Sequence, residues 1–244
     1  MSAKKRPQIP QQDADGFHPT LNQYGWSSEN LGWIIEEFIR CSSSSPLWSL
    51  DVGCAYGFHT AAAIKAGARV VANDLSADHL RLASTQIPTA LKLNLRTRKG
   101  AFTKITLPAG AFGVILASNV MHFMDPPTIE AACRKMFNLL APGGKVLVSA
   151  QTPYVATLTK FIPEYERLKA AGEKWPGYIA DPGVWVEKRS PHNHGHAHVL
   201  EPAILSRGFA EAGFSVDKAE FTSTLKADRV LDGRERMILV AHKP

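Results

Sequence analysis

The sequence predicts a doubly wound α/β fold, and three observations support this. An apolar run at 47–52 passes through small residues at 53, 55 and 57 into an alanine-rich helical stretch at 60–66. A second apolar run follows at 68–72. The stretch 111–119 is almost continuously apolar, as expected of a parallel strand covered by helices on both faces. In such folds ligands bind beyond the carboxyl ends of the strands.

Composition limits the classes of protein to which the chain can belong. Its 244 residues suffice for one well-packed α/β domain with a small insertion. The net charge of +6, from 28 basic and 22 acidic residues, permits an anionic partner but does not require one. Three scattered cysteines without a C-x-x-C pair indicate reduced thiols and a cytoplasmic protein. The chain has neither an apolar signal core nor a run of about 18 apolar residues that could span a membrane.

The remaining elements follow in order along the chain. Residues 1–20 are rich in Pro, Gln and Asp and are expected to form a flexible arm, with the domain occupying 21–244. A helix near 29–40 has an apolar stripe of Leu31, Ile34, Ile35 and Phe38. Helices are also predicted after Ser76, after Asp125 and at 201–213, and further strands at 90–93, 145–150, 215–221 and 236–241.

One segment, 151–198, departs from the alternation of strand and helix. It carries several prolines, and its aromatic residues include Phe161, Tyr165, Trp175, Tyr178 and Trp185. Residues 157–171 have a helical pattern. So long a connection is more often functional than accidental. We expect this insertion to form a substrate cap whose aromatic side chains exclude water from an apolar acceptor.

The turn after the first of these strands indicates the ligand. Asp51-x-Gly53-x-Ala55-x-Gly57 is followed by Asp74 at the end of the next apolar run. The dinucleotide fingerprint G-x-G-x-x-G fits poorly, because Ala55 and Phe58 stand where glycines belong. The pattern resembles the first motif of the class I S-adenosylmethionine-dependent methyltransferases. Two departures are Ala55 in place of the usual Gly and the absence of an acid before the strand at 111–119.

This resemblance implies a mostly parallel seven-stranded sheet, S-adenosyl-L-methionine as cofactor, and roles for individual residues. By this resemblance, Asp51 binds the cofactor ammonium directly or through water, and Asp74 accepts hydrogen bonds from the ribose hydroxyls. Asn94 is expected to contact the adenine amine and Leu95 the adenine ring. An N-terminal segment that includes Tyr24 folds over the cofactor. The expected cofactor-binding residues are Tyr24, Asp51, Gly53, Cys54, Ala55, Gly57, His59, Asp74, Leu75, Asn94, Leu95, Ser118 and Asn119.

Histidines are the most natural general bases for such a transfer. His122 follows the strand at 111–119, and His192, His194, His196 and His198 alternate, so they share one face if the segment is extended. Catalytic roles are expected for His122, His194 and His196. The alternating group is also compatible with a solvated loop or with a metal site, but no carboxylate or Cys pair accompanies it, and no metal is expected.

The predicted function is methyl transfer to an oxygen or nitrogen atom of a small-molecule acceptor. Methylation of RNA or protein is the alternative, suggested by the basic tail and the Arg96-Thr-Arg-Lys99 cluster, although nucleic acid is not the expected partner. The sequence Ser118-Asn-Val-Met-His122 lacks the Asn-Pro-Pro-Tyr pattern of enzymes that methylate base or amide nitrogens. A non-catalytic module that binds the cofactor is also compatible with the motif, and a nicotinamide dehydrogenase is less so. The sequence does not indicate an oligomeric state.

Overall fold

The computed structural model describes residues 7–14, 16–30, 32–186, 195–223 and 232–244, and its elements alternate between strand and helix. The strands are β1 Phe17–Pro19, β2 Trp26–Ser28, β3 Trp48–Val52, β4 Val70–Asp74, β5 Leu95–Lys99, β6 Phe112–Ser118, β7 Leu140–Gln151, β8 Tyr178–Ile179, β9 Ala197–His198, β10 Ser215–Thr222 and β11 Arg236–His242. The helices are α1 Gly32–Ser44, α2 Phe58–Lys65, α3 Ala77–Thr85, α4 Pro126–Leu139, α5 Ile162–Ala170 and α6 Pro202–Glu211.

The central sheet has seven strands in the order β10-β11-β7-β6-β3-β4-β5. The strands from β3 to β7 are parallel, whereas β11 is antiparallel to β7 and β10 is antiparallel to β11. The prediction of a mostly parallel, seven-stranded α/β sheet is therefore confirmed. Because β11 runs backwards, its first residue, Arg236, pairs with Gln151 at the carboxyl end of β7. One edge of the sheet thus gathers the ends of β3, β4, β6 and β7 together with the start of β11.

Helices bury both faces of the sheet, which explains the continuous apolar runs of its central strands. On one face the stripe Ile34, Ile35 and Phe38 of α1 packs with α2 and the outward side chains of β6 and β7. On the other face α4 and α6 pack against β6, β7 and β11. Leu31, expected in the same stripe, lies outside the described residues.

Two helices begin at the residues that the sequence indicated. The Ser76 Oγ accepts the backbone N–H of His79 at 3.3 Å, and the Asp125 Oδ1 accepts that of Thr128 at 3.0 Å. These side chains satisfy amide donors that have no partner within the first turn of a helix. Both loops that lead from a strand end into α3 and α4 are fixed in this way.

The strand expected at 90–93 was wrong in position. Residues Thr89–Asn94 form a 3-10 turn, and β5 follows it as an edge strand whose side chains are mostly exposed. The basic cluster that suggested a nucleic-acid partner forms this strand. Arg96 lies over the Trp48 ring, 4.2 Å from its centre. Charged side chains on an edge strand oppose pairing with other chains, which gives the cluster a structural reason.

The insertion at 151–198 builds a small core of its own. The helix expected at 157–171 is shorter, because Pro163 stands in the first turn of α5, where proline is well tolerated. The strands β8 and β9 pair in antiparallel fashion beside it. The residues buried together in this core are Tyr154, Val155, Leu158, Phe161, Tyr165, Ile179 and Val199.

The N-terminal segment forms the antiparallel hairpin β1–β2, which packs on the domain. The Tyr56 hydroxyl donates to the backbone oxygen of Pro19 at 2.7 Å, and Thr20 donates to the Gly25 oxygen at 3.0 Å. The boundary expected at residue 20 therefore falls inside the hairpin. None of the described helices is long and apolar enough to cross a membrane.

Candidate active site

A cavity of about 780 Å³ opens along the edge where the strand ends meet. It extends across the sheet from Asp74 of β4 to Arg236 of β11 and is roofed by the N-terminal segment. Its volume lies within the usual range for small-molecule sites. Of the residues predicted for the site, those that line it are Tyr24, Asp51, Gly53, Cys54, Ala55, His59, Asp74, Leu75, Ser118, Asn119, His122 and His196.

The turn after β3 brings its backbone close to neighbouring elements. A Cβ atom on Gly53, whose φ is +70°, would lie 2.6 Å from the Val120 Cγ2. A Cβ on Gly57 would lie 2.4 Å from the Ala83 Cβ. Gly57 therefore allows α2 to pack against α3 and does not line the cavity, contrary to the role that the motif implied for it.

Asp74 is the last residue of β4, and its carboxylate already accepts several hydrogen bonds from the protein. Its Oδ2 accepts the Ala55 backbone N–H at 2.9 Å, and its Oδ1 accepts the Ser76 backbone N–H at 2.8 Å. The His79 Nδ1 lies 2.9 Å from the same Oδ1. A carboxylate offers about four acceptor positions, so these bonds leave room for one strong hydrogen bond from a ligand.

Asp51, at the end of the neighbouring strand β3, is a buried acid. Its Oδ2 accepts the Thr60 hydroxyl at 2.6 Å. Burial raises its pKa to about 6, and the negative charge of Asp74 adds to this effect, whereas the Thr60 bond opposes it. Among the described residues no cation pairs with Asp51. A cationic ligand group would therefore stabilise its ionised form.

The structure corrects the adenine position that was expected at Asn94 and Leu95. These residues precede β5 or begin it, at the end of the strand away from the cavity, and neither lines it. The error follows from the misplaced strand at 90–93. The loop after β5, 100–103, lines the cavity instead, as does the exposed Leu75. Asn73 holds this loop by donating to the backbone oxygens of Arg98 at 2.8 Å and Gly100 at 3.0 Å.

The aromatic roof comes from the N-terminal segment rather than from the insertion. The Tyr24 ring stands edge-on to Phe123 with 6.1 Å between ring centres, and a Cβ on Gly25 would lie 2.8 Å from the Phe123 Cζ. The aromatic residues expected to cap the pocket do not line it. Three of them pack in the core of the insertion, Tyr178 packs against His196 and His198, and Trp175 packs on α6. The three in the core of the insertion are Phe161, Tyr165 and Trp185.

Three histidines at the site are held in the neutral state by burial. Burial lowers the pKa of His59 to about 4, that of His198 to about 4 and that of His122 to about 3. The charge of Arg236 lowers the pKa of His122 further. The Nδ1 atom of His122 is buried without a hydrogen-bond partner in the described part of the chain.

The alternating histidines are only partly described, since His192 and His194 lie outside the described residues. His196 and His198 do share a face, as their spacing predicted. The His196 Nε2 lies 3.1 Å from the Phe123 backbone oxygen, and the His198 Nδ1 lies 3.1 Å from that of Met124. These bonds fix β9 against the loop that carries His122. Within the described ranges, no three His, Cys, Asp or Glu side chains are arranged to hold a metal ion.

Arg236 is a cavity residue that the sequence analysis missed. Its Nη1 donates to the Asn119 Oδ1 at 2.5 Å, and Asn119 adopts a left-handed φ of +51°. Ser118 bonds the Ser149 hydroxyl at 2.9 Å on the neighbouring strand. In the sequence, the only indication of a role for Arg236 is that a basic residue stands at the start of an apolar strand. Its place in the cavity requires knowledge that β11 is antiparallel and lies next to β7.

Comparisons with known proteins agree with this arrangement. Residues 50–144 match the family model described as a methyltransferase domain. The ubiquinone biosynthesis O-methyltransferase of Psychrobacter arcticus is 29% identical over 200 residues, which cover 76% of this chain and 70% of that protein. The enzyme of the same name from Colwellia psychrerythraea is 27% identical over 186 residues, covering 75% and 67%.

Solved structures share the fold. An S-adenosylmethionine-dependent methyltransferase from Mesorhizobium loti superposes with a TM-score of 0.64 at 18% identity, covering 87% of this chain and 99% of that one. A glycopeptide N-methyltransferase in complex with S-adenosyl-L-homocysteine gives 0.58 at 18% identity, covering 86% and 88%. Residues 50–144 thus form a methyltransferase domain, and the chain has the sheet order and the strand-end cavity of the class I S-adenosylmethionine-dependent methyltransferase fold.

Proposed function

We propose that this enzyme transfers the methyl group of S-adenosyl-L-methionine to a hydroxyl oxygen of a small-molecule acceptor. The observation that carries the proposal is one roofed cavity with two chemically different ends. Buried acids occupy the end at β3 and β4, whereas neutral imidazoles and a guanidinium occupy the end at β6, β7 and β11. The first end suits a cationic nucleoside cofactor, and the second suits an acceptor that gives up a proton.

The residues of the acidic end fit the cofactor. Asp51 lacks a cationic partner among the described side chains, and a cofactor ammonium supplies one. Asp74 retains one acceptor position for a ribose hydroxyl. The backbone of Gly53 leaves space that a side chain would fill. Leu75 and Phe102 offer apolar surface to the adenine, and Tyr24 covers the cofactor from the roof.

When bound, the cofactor supplies a methyl group on a positively charged sulfur, which is already a good electrophile. The protein must orient the acceptor and receive its proton. The Nδ1 atom of His122 carries an unshared electron pair when the ring is in the matching tautomer, and its low pKa keeps the ring neutral. His122 accepts the hydroxyl proton, and Tyr24 and Phe123 exclude water from the same space.

Oxygen is favoured over nitrogen as the methylated atom by the two relatives named O-methyltransferases. A small acceptor is favoured over RNA or protein because the roof closes over the strand ends. The basic cluster 96–99, which suggested a macromolecular acceptor, lies on the outer edge of the sheet.

The test is methyl transfer from labelled cofactor to matched phenols, catechols and aryl amines, with product masses read by mass spectrometry. We expect O-methyl products and at least a hundredfold loss in His122→Asn, which is typical of removing a general base. His242→Asn serves as the matched control, because it alters a partly exposed histidine at the opposite end of β11 from Arg236 and the cavity. Products from amines alone, label in RNA or protein, or adenosylhomocysteine binding without any transfer would each contradict the proposal.

A further inference from the structure

Arg236 is a cation that the acceptor end of the cavity does not neutralise. Within the described ranges the Arg236 Nε atom is buried without a hydrogen-bond partner, and the one side-chain hydrogen bond of Arg236 found there goes to the neutral amide of Asn119. Among the described residues no carboxylate pairs with it. Burial lowers the pKa of Arg236 from the usual value, and no acid in the described part of the chain compensates for this loss of hydration. Removing a charge from water without a partner is costly, so a ligand anion would gain from meeting it.

The cofactor cannot be the source of that anion. Its carboxylate is carried by the same carbon atom as its ammonium, so the two groups bind close together. Under the proposed function the ammonium lies at Asp51, on β3. Arg236 is three strands away in the order β3-β6-β7-β11, a separation of about 14 Å at the usual strand spacing. The anion must therefore belong to the acceptor.

A neutral hydroxyl does not meet this requirement either. It arrives without charge and would leave Arg236 uncompensated while the acceptor binds. A carboxylate is planar and matches the fork of a guanidinium, so it can accept two N–H bonds from Arg236 at once. Burial is the main cause of the low pKa of His122 and the Arg236 charge is the smaller one; a carboxylate on Arg236 would offset that smaller contribution and make the ring a better proton acceptor.

We propose that the acceptor carries a carboxylate that binds Arg236, and that this pair places the reacting hydroxyl beside His122. This inference rests on the proposed function, because it names the substrate class of the same cavity. Arg236 thus acts as a specificity residue, selecting hydroxy acids over their neutral counterparts. Its bond to Asn119 keeps the guanidinium at the cavity wall when the acceptor is absent.

The test compares pairs of compounds that differ only in a carboxylate, such as catechol and protocatechuate, for binding to the adenosylhomocysteine complex by calorimetry. We expect the acid to bind at least tenfold more tightly than its neutral partner in the native enzyme. Arg236→Gln should remove this preference and Arg236→Lys should keep part of it. Arg234→Gln removes a more exposed arginine that is paired with Asp232 and should leave the preference intact.

Three outcomes are decisive. Equal binding of acid and neutral compounds would overturn the inference even if O-methylation stands. If Arg236→Gln weakens adenosylhomocysteine as much as it weakens the acid, Arg236 only supports Asn119, and the inference is again wrong. If the enzyme prefers the acid through Arg236 but transfers no methyl group, the carboxylate-binding site is supported and the proposed reaction is wrong. Binding of adenosylhomocysteine and thermal unfolding report whether each variant is folded.

Discussion

His79 connects Asp74 to the roof of the cavity. Its Nε2 accepts the Leu21 backbone N–H at 3.1 Å, while its Nδ1 lies 2.9 Å from the Asp74 Oδ1. An amide can only donate, so the proton of the neutral ring must be on Nδ1, where it is donated to Asp74. The ring is almost fully buried and stands edge-on to Tyr56. One side chain therefore links the acid at the end of β4 to the hairpin that covers the cofactor end of the cavity.

Replacing His79 by Phe should loosen both connections. Phe fills the ring volume but can neither donate to Asp74 nor accept from Leu21. Loss of a hydrogen bond to a charged group costs about 1.5–3 kcal/mol, so we expect adenosylhomocysteine to bind about tenfold or more weakly by calorimetry. Hydrogen exchange at the Leu21 amide should accelerate, because that amide loses its acceptor.

His242→Phe is the matched control for this change. His242 also bonds an aspartate, with its Nδ1 2.7 Å from the Asp217 Oδ1, but on the partly exposed outer strands. His242→Phe should change neither the affinity for adenosylhomocysteine nor the hydrogen exchange of the Leu21 amide. Unchanged cofactor affinity in His79→Phe would show that Asp74 needs no help from the ring.

Asp51 should make cofactor affinity depend on pH. Its pKa of about 6 means that acidification protonates it and removes the charge that answers the ammonium. Between about pH 7.5 and pH 5 we expect the affinity for adenosylhomocysteine to fall about tenfold by calorimetry. Asp51→Asn should bind weakly throughout this range with little pH dependence. Parallel pH profiles for the two proteins would exclude Asp51 as the titrating group.

The same substitution should stabilise the ligand-free protein. The folded-state pKa of Asp51 lies above the ordinary value of 3.8, so the folded state holds this proton more tightly than the unfolded chain. The stabilising contribution is present at low pH and is lost as pH rises through about 6. Thermal or urea unfolding of Asp51→Asn near pH 7.5 should show a gain of about 1–3 kcal/mol, which shrinks near pH 4.

Ala55→Gly should be tolerated by the turn. Ala55 has a φ of +45°, which costs a residue with a side chain about 1–2 kcal/mol, whereas glycine adopts it freely. Part of this gain is offset by the greater freedom of glycine in the unfolded chain. We expect stability to change by between zero and about +1 kcal/mol in urea unfolding, with adenosylhomocysteine affinity unchanged, since the backbone N–H still donates to Asp74. A clear loss of stability would mean that the Ala55 methyl group is required for packing.

The sequence was sufficient to place helices and strands wherever a periodic hydrophobic pattern occurred together with a capping or turn residue. The strand, turn and helix around Asp51, the cap at Ser76 and the buried strand at 111–119 all reflect local geometry, and each was placed within a few residues. The edge strand β5 was misplaced because its side chains are polar and exposed, so it carries no hydrophobic signal. Asn94 and Leu95 were assigned to the adenine by the same error.

Other parts of the site depend on contacts between distant segments. Arg236 reaches the cavity only because an antiparallel strand begins where a parallel one ends, 117 positions along the chain from its partner Asn119. His79 looks like any polar residue on a helix until the hairpin is docked. The aromatic residues of the insertion were assigned to the pocket because aromatic content alone does not distinguish a cap from a small separate core.

The hydrogen bond from the Leu21 amide has a consequence for mutational surveys. The roof is held at this point by a main-chain group, and the side chain of the same residue is partly exposed to solvent. Replacements other than proline keep the backbone N–H of residue 21, so an alanine scan would not detect this hydrogen bond to His79. Only proline lacks the backbone N–H, so proline is the one substitution at position 21 that removes this hydrogen bond.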